Sequence, residues 1–240
     1  MNYLDLTFPT PSENLACDEA LLEQGGQSIG GTEVLRFWEP QEHFVVLGYA
    51  NKARLEVNFE ACRKRRIPIL RRCSGGGTVL QGPGCLNYSP ILKISENSPL
   101  RSISQTNCFI MKQNAEALAC LLGQRIEVQG FTDLAIDNLK ISGNAQRRKQ
   151  EWLLFHGTFL LDFEIGLMEE LLLFPSRQPA YRQNRSHAQF LSRVQLSAHS
   201  IKTALRECWK AREPLVEFSI CGIKEFACEK YAKDEWNLKW

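Results

Sequence analysis

Arg71-Arg72-Cys73-Ser74-Gly75-Gly76-Gly77-Thr78-Val79-Leu80 is the most informative stretch of the chain. Three consecutive glycines carry no Cβ, so a ligand can come close to the backbone and amide N–H groups can point at an anion. Two arginines put fixed positive charge just before the turn, and guanidinium suits phosphate or carboxylate. Residues 67–70 lead in as a β-rich run, and another follows the glycines. The stretch reads as an anion cradle joining two strands, and a plain glycine-rich hairpin with exposed arginines explains it equally well. It is not a P-loop, because no GKS or GKT follows, and it is not GxGxxG.

Outward from this turn, residues 2–8, 34–38, 44–47 and 86–94 read as strands. Segments 34–38 and 44–47 are expected to pair, with Pro40 in the turn between them. Ser12 can cap a helix over residues 14–22, and Gly25, Gly26, Gly30 and Gly31 mark a loop. Residues 58–65 read as a short helix. The clearest helix spans residues 103–122, where Met111, Ala115, Leu118 and Leu122 share one face. Short β-rich pieces follow at 125–128, 134–136 and 140–142, and a longer one at 152–163. Residues 164–173 and 197–211 read as helices. Groups of strands with helices bunched between them predict an α+β domain around a mainly antiparallel or mixed sheet with flanking helices.

The length allows one large domain or two small ones; the chain reads as a single domain over residues 1–240, and its composition excludes several classes. The chain is 44% hydrophobic and 23% charged, and 29 Lys and Arg against 27 Asp and Glu leave a net charge of only +2. That argues against a protein built to coat nucleic acid or an anionic membrane. The short basic runs Arg63-Lys64-Arg65-Arg66 and Arg147-Arg148-Lys149 read as solvated faces. No apolar run approaches the length of a membrane helix. Nine cysteines, an odd number with no CxxC, and four scattered histidines suggest neither a disulfide framework nor a zinc site. A reducing cytoplasm suits such thiols.

Two further stretches can carry chemistry. In residues 133–145, Lys140 precedes a Ser142-Gly143-Asn144 turn and could neutralise a carboxylate under activation or the phosphate of an adenylate. A solvated lysine at a strand end is the simpler reading of that stretch alone. In residues 155–161, Gly157 allows close backbone approach beside His156.

Taken together, RRCSGGGTV, LNYS (residues 86–89), TDLAIDNLKISGNAQR (132–147) and HGTFLL (156–161) occur in the order and approximate spacing of the lipoate-protein ligase family. Residues 14–20, NLACDEA, resemble that family's NLAxDEA helix. The resemblance covers about residues 1–195. It implies a class II synthetase-like catalytic domain shared with biotin ligases and octanoyltransferases. It also implies a reaction in which ATP activates lipoate or octanoate to an acyl-adenylate. The acyl group then passes to a lysine of a lipoyl carrier domain, of the 2-oxoacid dehydrogenase E2 or glycine cleavage H protein type.

Carried onto this sequence, the resemblance places Arg71, Arg72, Ser74 and the run Gly75, Gly76, Gly77, Thr78, Val79 and Leu80 around ATP and the substrate. Lys140 would bind both the acyl carboxylate and the adenylate. Asp133 would help hold Mg²⁺ or nucleotide. Trp38, Asn87, Ser142, Gly143, Asn144, His156 and Gly157 would complete the pocket.

The sequence also departs from the pattern. Gln81-Gly82 stands where many ligases have His-Asp, and Phe155 stands before His156 where many have a second histidine. The further C-terminal domain of full-length ligases is missing, so a separate accessory-domain protein is an expected partner. An octanoyltransferase is the alternative, but its cysteine nucleophile would stand at Leu153 or within residues 128–132, and neither place has one. A non-catalytic acyl- or nucleotide-binding relative is a further alternative, against which Arg72 and Lys140 speak, because a binder of a neutral acyl chain needs neither.

Overall fold

The computed structural model describes residues 1–27 and 31–240. In chain order these residues form β1 (Asn2–Asp5), α1 (Pro11–Gln27), β2 (Val34–Trp38), β3 (Phe44–Leu47), α2 (Ala53–Glu56), α3 (Phe59–Arg65), β4 (Ile69–Arg71), β5 (Val79–Gln81), β6 (Cys85–Lys93) and α4 (Ile103–Leu122). Next come β7 (Glu127–Gln129), β8 (Asp133–Ile136), β9 (Leu139–Lys149), β10 (Trp152–Leu160), α5 (Gly166–Leu171), α6 (His187–Phe190), α7 (Ala198–Cys208), β11 (Glu213–Pro214), α8 (Ile220–Phe226) and α9 (Asp234–Asn237). A 3₁₀ turn, Ala180–Arg182, precedes α6, and a π-helical turn, Ala227–Tyr231, follows α8.

The main sheet runs β11-β1-β2-β6-β10-β9-β8-β7, and a small sheet runs β4-β3-β5. Strand β1 is parallel to both β2 and β11, and β3 is parallel to β4. The remaining pairings are antiparallel. The fold is therefore α+β with mixed sheets.

The period of two along a strand decides where the site lies. Leu35 and Phe37 of β2, Leu86 and Tyr88 of β6, and Leu153 and Phe155 of β10 pack with Ile110, Met111 and Leu118 of α4 and Ile201 and Leu205 of α7. Val34, Trp38, Ile91 and Leu154 instead meet Leu15, Leu21 and Leu22 of α1. Residues 36, 87, 89, 156 and 158 fall in the same alternation as that second set. This α1-side face carries the polar side chains of the cleft described below. Ser102 caps α4, its hydroxyl accepting from Gln105 N, and Gly123 closes the helix with φ 63°.

Three local expectations are corrected. Strands β2 and β3 do not pair with each other: β2 lies between β1 and β6, and β3 belongs to the small sheet. Trp38 and Phe44 stack across the bend at 6.5 Å. Helix α1 continues through Gly25 and Gly26, carried by burial of Leu21, Leu22 and Gly25 rather than by propensity. Its cap is Thr10, which forms a reciprocal pair with Glu13 (Thr10 N to Oε2 3.1 Å, Glu13 N to Thr10 Oγ1 3.3 Å). The loop expected at Gly30 lies outside the described residues. Finally, Ser142-Gly143-Asn144 is not a turn. It sits within β9, with Gly143 opposite Thr158 and Asn144 opposite Gly157.

Candidate functional site

A cavity of about 110 Å³ opens between α1, the glycine-rich loop and the faces of β6, β9 and β10. Leu15, Trp38, Val46 and Val79 supply its apolar wall, and Asp18, Arg72, Lys140 and His156 its ionisable groups. Gln81, Asn87 and Thr158 form a closed ring of side-chain hydrogen bonds on the lining: Gln81 Nε2 donates to Thr158 Oγ1 (2.7 Å), Thr158 Oγ1 to Asn87 Oδ1 (2.5 Å) and Asn87 Nδ2 to Gln81 Oε1 (3.0 Å).

The glycine-rich loop is not a hairpin. It leaves β4, which is parallel to β3, and enters β5, which is antiparallel to β3 on its other side, so it crosses one end of the small sheet. Arg72 braces it from inside. Its Nε donates to Ser74 Oγ (3.1 Å) and Gly75 O (3.1 Å), and its Nη2 to Gly75 O (2.8 Å) and Gly77 O (2.7 Å). Burial lowers the Arg72 pKa to about 10, which leaves it charged at neutral pH. Gly76 adopts φ +90°, and a Cβ there would sit 2.7 Å from Arg72 Nη2, so backbone and guanidinium both require glycine.

The two adjacent arginines part company. Arg71 is fully buried and faces away from the cleft. Its guanidinium donates to the carbonyls of Gly48, Tyr49, Asn51, Trp236 and Asn237, and its backbone N–H to Asn237 Oδ1 (2.9 Å). It clamps the C-terminal segment to the back of the loop, whereas the sequence pattern places it around ATP and the substrate. Leu80 is likewise core, packed with Val45 and Leu47. Thr78 Oγ1 accepts from Asn51 Nδ2 (3.3 Å).

His156 is tied on both nitrogens. Nδ1 lies 3.3 Å from Asp18 Oδ2, and Nε2 lies 2.5 Å from Ser74 Oγ. An ionised carboxylate can only accept, so Nδ1 donates to Asp18, while the Ser74 hydroxyl that meets Nε2 also accepts from Arg72 Nε. Asp18 is also held by Arg36 Nη1 (2.5 Å) and Ser89 Oγ (2.9 Å). Burial opposes its charge, but Arg36 and His156 outweigh that and keep its pKa below the usual range. The sequence reading assigned no role to Asp18 or Arg36. The available signal was spacing: Leu15, Asp18 and Leu22 recur at i, i+3 and i+7, which places a carboxylate on the buried stripe of α1. Arg36 is the lone charge in the strand Val34-Leu35-Arg36-Phe37-Trp38.

On the opposite wall, Lys140 Nζ lies 2.8 Å from Asp133 Oδ1, and Tyr181 donates to Asp133 Oδ2 (2.9 Å). Both oxygens of Asp133 are therefore engaged, one by Lys140 and the other by Tyr181. Among the described residues no group of three or more His, Cys, Asp or Glu side chains could hold a metal. Ser142 is buried, and Asn144 accepts from Tyr88 OH (2.5 Å). Gly143, Asn144 and Gly157 line the cleft with Lys140 and His156.

Among the described residues no cysteine lines the cleft. Cys73 points into the core beside Tyr231. Burial, with Glu19 nearby, pushes its thiol up to about 12, so proximity to Arg72 does not activate it. Burial likewise pushes Cys85 up to about 12.

The fold and this site define a class. Residues 10–207 match the lipoyl protein ligase A/B catalytic domain, and the chain belongs to that family. Among similar proteins, the octanoyltransferase LipM of Halalkalibacterium halodurans is 26% identical over 99% of this chain and 98% of its own length. A putative lipoate-protein ligase A of Aeropyrum pernix is 27% identical over 98% of this chain and 91% of its own length. The putative lipoate protein ligase of T. acidophilum, solved with bound lipoic acid, superposes with a TM-score of 0.83 at 22% identity, covering 99% of this chain and 98% of that one. Lipoate-protein ligase A bound with ATP superposes at 0.80 with 23% identity, covering 99% of each chain. Relatives thus carry the names of both reactions weighed from the sequence.

Proposed function

We propose that the chain is an ATP-dependent acyl-adenylate-forming ligase of this family, acting on lipoate or octanoate. The observation that carries this reading is one cavity lined by two cations, Arg72 and Lys140, beside a glycine-rich loop, with no thiol among its described lining residues. A carboxylate and a triphosphate repel each other, and fixed positive charge in a partly dry cleft offsets that repulsion as charge develops. The acid's carboxylate oxygen attacks the α-phosphorus and pyrophosphate leaves. A lysine amine of a lipoyl carrier domain then attacks the acyl carbonyl, losing a proton as AMP leaves. Leu15, Trp38, Val46 and Val79 suit an apolar acyl chain.

The octanoyltransferase reading is favoured by the names of several similar proteins. It requires a reactive thiolate within reach of an acyl thioester. The buried, protonated Cys73 and Cys85 do not supply one. The test is pyrophosphate release and hydroxylamine trapping of the acyl group from protein, acid and ATP. The proposal expects acid-dependent release of pyrophosphate with stoichiometric hydroxamate. No release with lipoate or octanoate, alongside acyl transfer from an acyl thioester, would overturn it.

A further inference from the structure

Residues 179–192 lie between α5 and α7 and carry no role in the reading above, yet they grip Lys140 in two ways. Along the backbone, Ser192 N donates to Lys140 O (2.9 Å), and Leu191 forms a parallel bridge with Lys140. Through side chains, Tyr181 OH donates to Asp133 Oδ2 while Asp133 Oδ1 holds the Lys140 ammonium. The segment is itself ordered. The Tyr181 ring packs on Phe190 at 5.0 Å, and Ser186 and Gln189 form a capping box on α6. Arg185 Nη2 donates to Tyr181 O (2.8 Å) and to Asn138 O (3.0 Å) in the β8–β9 turn. On its other flank, Lys140 lies over Gly143, where a Cβ would stand 2.7 Å from Nζ. The ammonium is thus confined between a bare backbone and one carboxylate.

We infer that Tyr181 is a positioning residue for Lys140, acting through Asp133. With Tyr181 on one oxygen, Asp133 presents the other to Lys140 in one orientation and holds the ammonium until an anionic substrate competes for it. Burial, reinforced by the Asp133 charge, pushes the Tyr181 hydroxyl above its ordinary range, so it remains a donor at any working pH. This inference rests on the proposed role of Lys140 in carboxylate activation.

The test uses Tyr181→Phe, which keeps the ring on Phe190, together with Asp133→Asn and the double variant. Steady-state adenylate formation and trace acetylation of Lys140, quantified by peptide mass spectrometry, are measured on each folded protein. Tyr181→Phe is expected to lower kcat about fivefold to tenfold, less than the full loss of one hydrogen bond to a charged group because Tyr181 acts only through Asp133, with KM for ATP little changed. It is also expected to raise the acetylation rate of Lys140. In the Asp133→Asn background, Tyr181→Phe should have no further effect on either readout, because the two residues act in series. Wild-type behaviour of Tyr181→Phe in both readouts, or an undiminished effect in the Asp133→Asn background, would overturn the inference. Acetylation reports on Lys140 without turnover. It therefore decides the tether even if no adenylate forms, and the missing adenylate then counts against the proposed reaction alone.

Discussion

The two cations lining the cleft are held in opposite ways. Arg72 is buried and spends Nε and Nη2 on Ser74, Gly75 and Gly77 of its own loop. Lys140 keeps about a quarter of its side chain exposed (24%) and has one carboxylate partner, Asp133. A guanidinium fork suits fixed bonding to several carbonyls, and a flexible ammonium suits exchange between partners. Arg72 therefore shapes the cradle and adds a permanent field. Lys140 is the group that can trade its partner for a substrate anion. The loop side is further fixed from behind, where Trp236 Nε1 donates to Arg71 O (2.8 Å).

This contrast predicts how each side breaks. Lys140→Ala should cost the most activity, roughly a hundredfold to a thousandfold in adenylate formation, as expected for losing one charge-stabilising donor. Its melting temperature should barely move, because a partly exposed ion pair adds little stability. Lys140→Arg should fail as well, since the planar fork cannot fit over Gly143. Arg72→Ala should lower activity about tenfold to a hundredfold and, unlike Lys140→Ala, also lower stability by about 1–3 kcal/mol as the loop loses its brace. Calorimetry paired with pyrophosphate release separates the two patterns. An Arg72→Ala protein with wild-type melting would erase the contrast. Asn237→Ala removes the acceptor for Arg71 N and the donor to Tyr231 O (2.8 Å). It should cost about 1–2 kcal/mol of stability and only a few-fold in turnover, measured by the same pair of assays. The smallest effect belongs to Cys73→Ser with Cys85→Ser, which should keep ATP-dependent activity within about twofold. A larger loss accompanied by an acyl-thioester on either residue would return a thiol to the chemistry.

The architecture was legible where one signal dominated. The 103–122 helix followed from its apolar stripe, and the mixed α+β arrangement from the grouping of strands. Neighbour relations were not legible, because alternation in Val34-Leu35-Arg36-Phe37-Trp38 reveals which residues share a face but not which strand lies alongside. Strand β9 was cut short at Ser142 because Gly143 and Asn144 have poor strand propensity, and pairing with β10 overrides it. In the site, motif order singled out Arg72, Lys140 and His156. The split between Arg71 and Arg72 was hidden, since consecutive residues leaving a strand point opposite ways and only the C-terminal segment shows which side is core. Asp18 and Tyr181 were missed because their partners, Arg36 and Asp133, lie 18 and 48 residues away.

The central claim is tested most directly by the intact mass of a lipoyl carrier domain incubated with the protein. One arm supplies octanoate or lipoate with ATP, and the other supplies octanoyl-acyl carrier protein without ATP. An accessory-domain protein is present in both arms. The account predicts the mass gain of one acyl group in the first arm, abolished by Lys140→Ala, and no gain in the second. Acylation in the second arm, with an acyl group trapped on a cysteine of this chain, would contradict it.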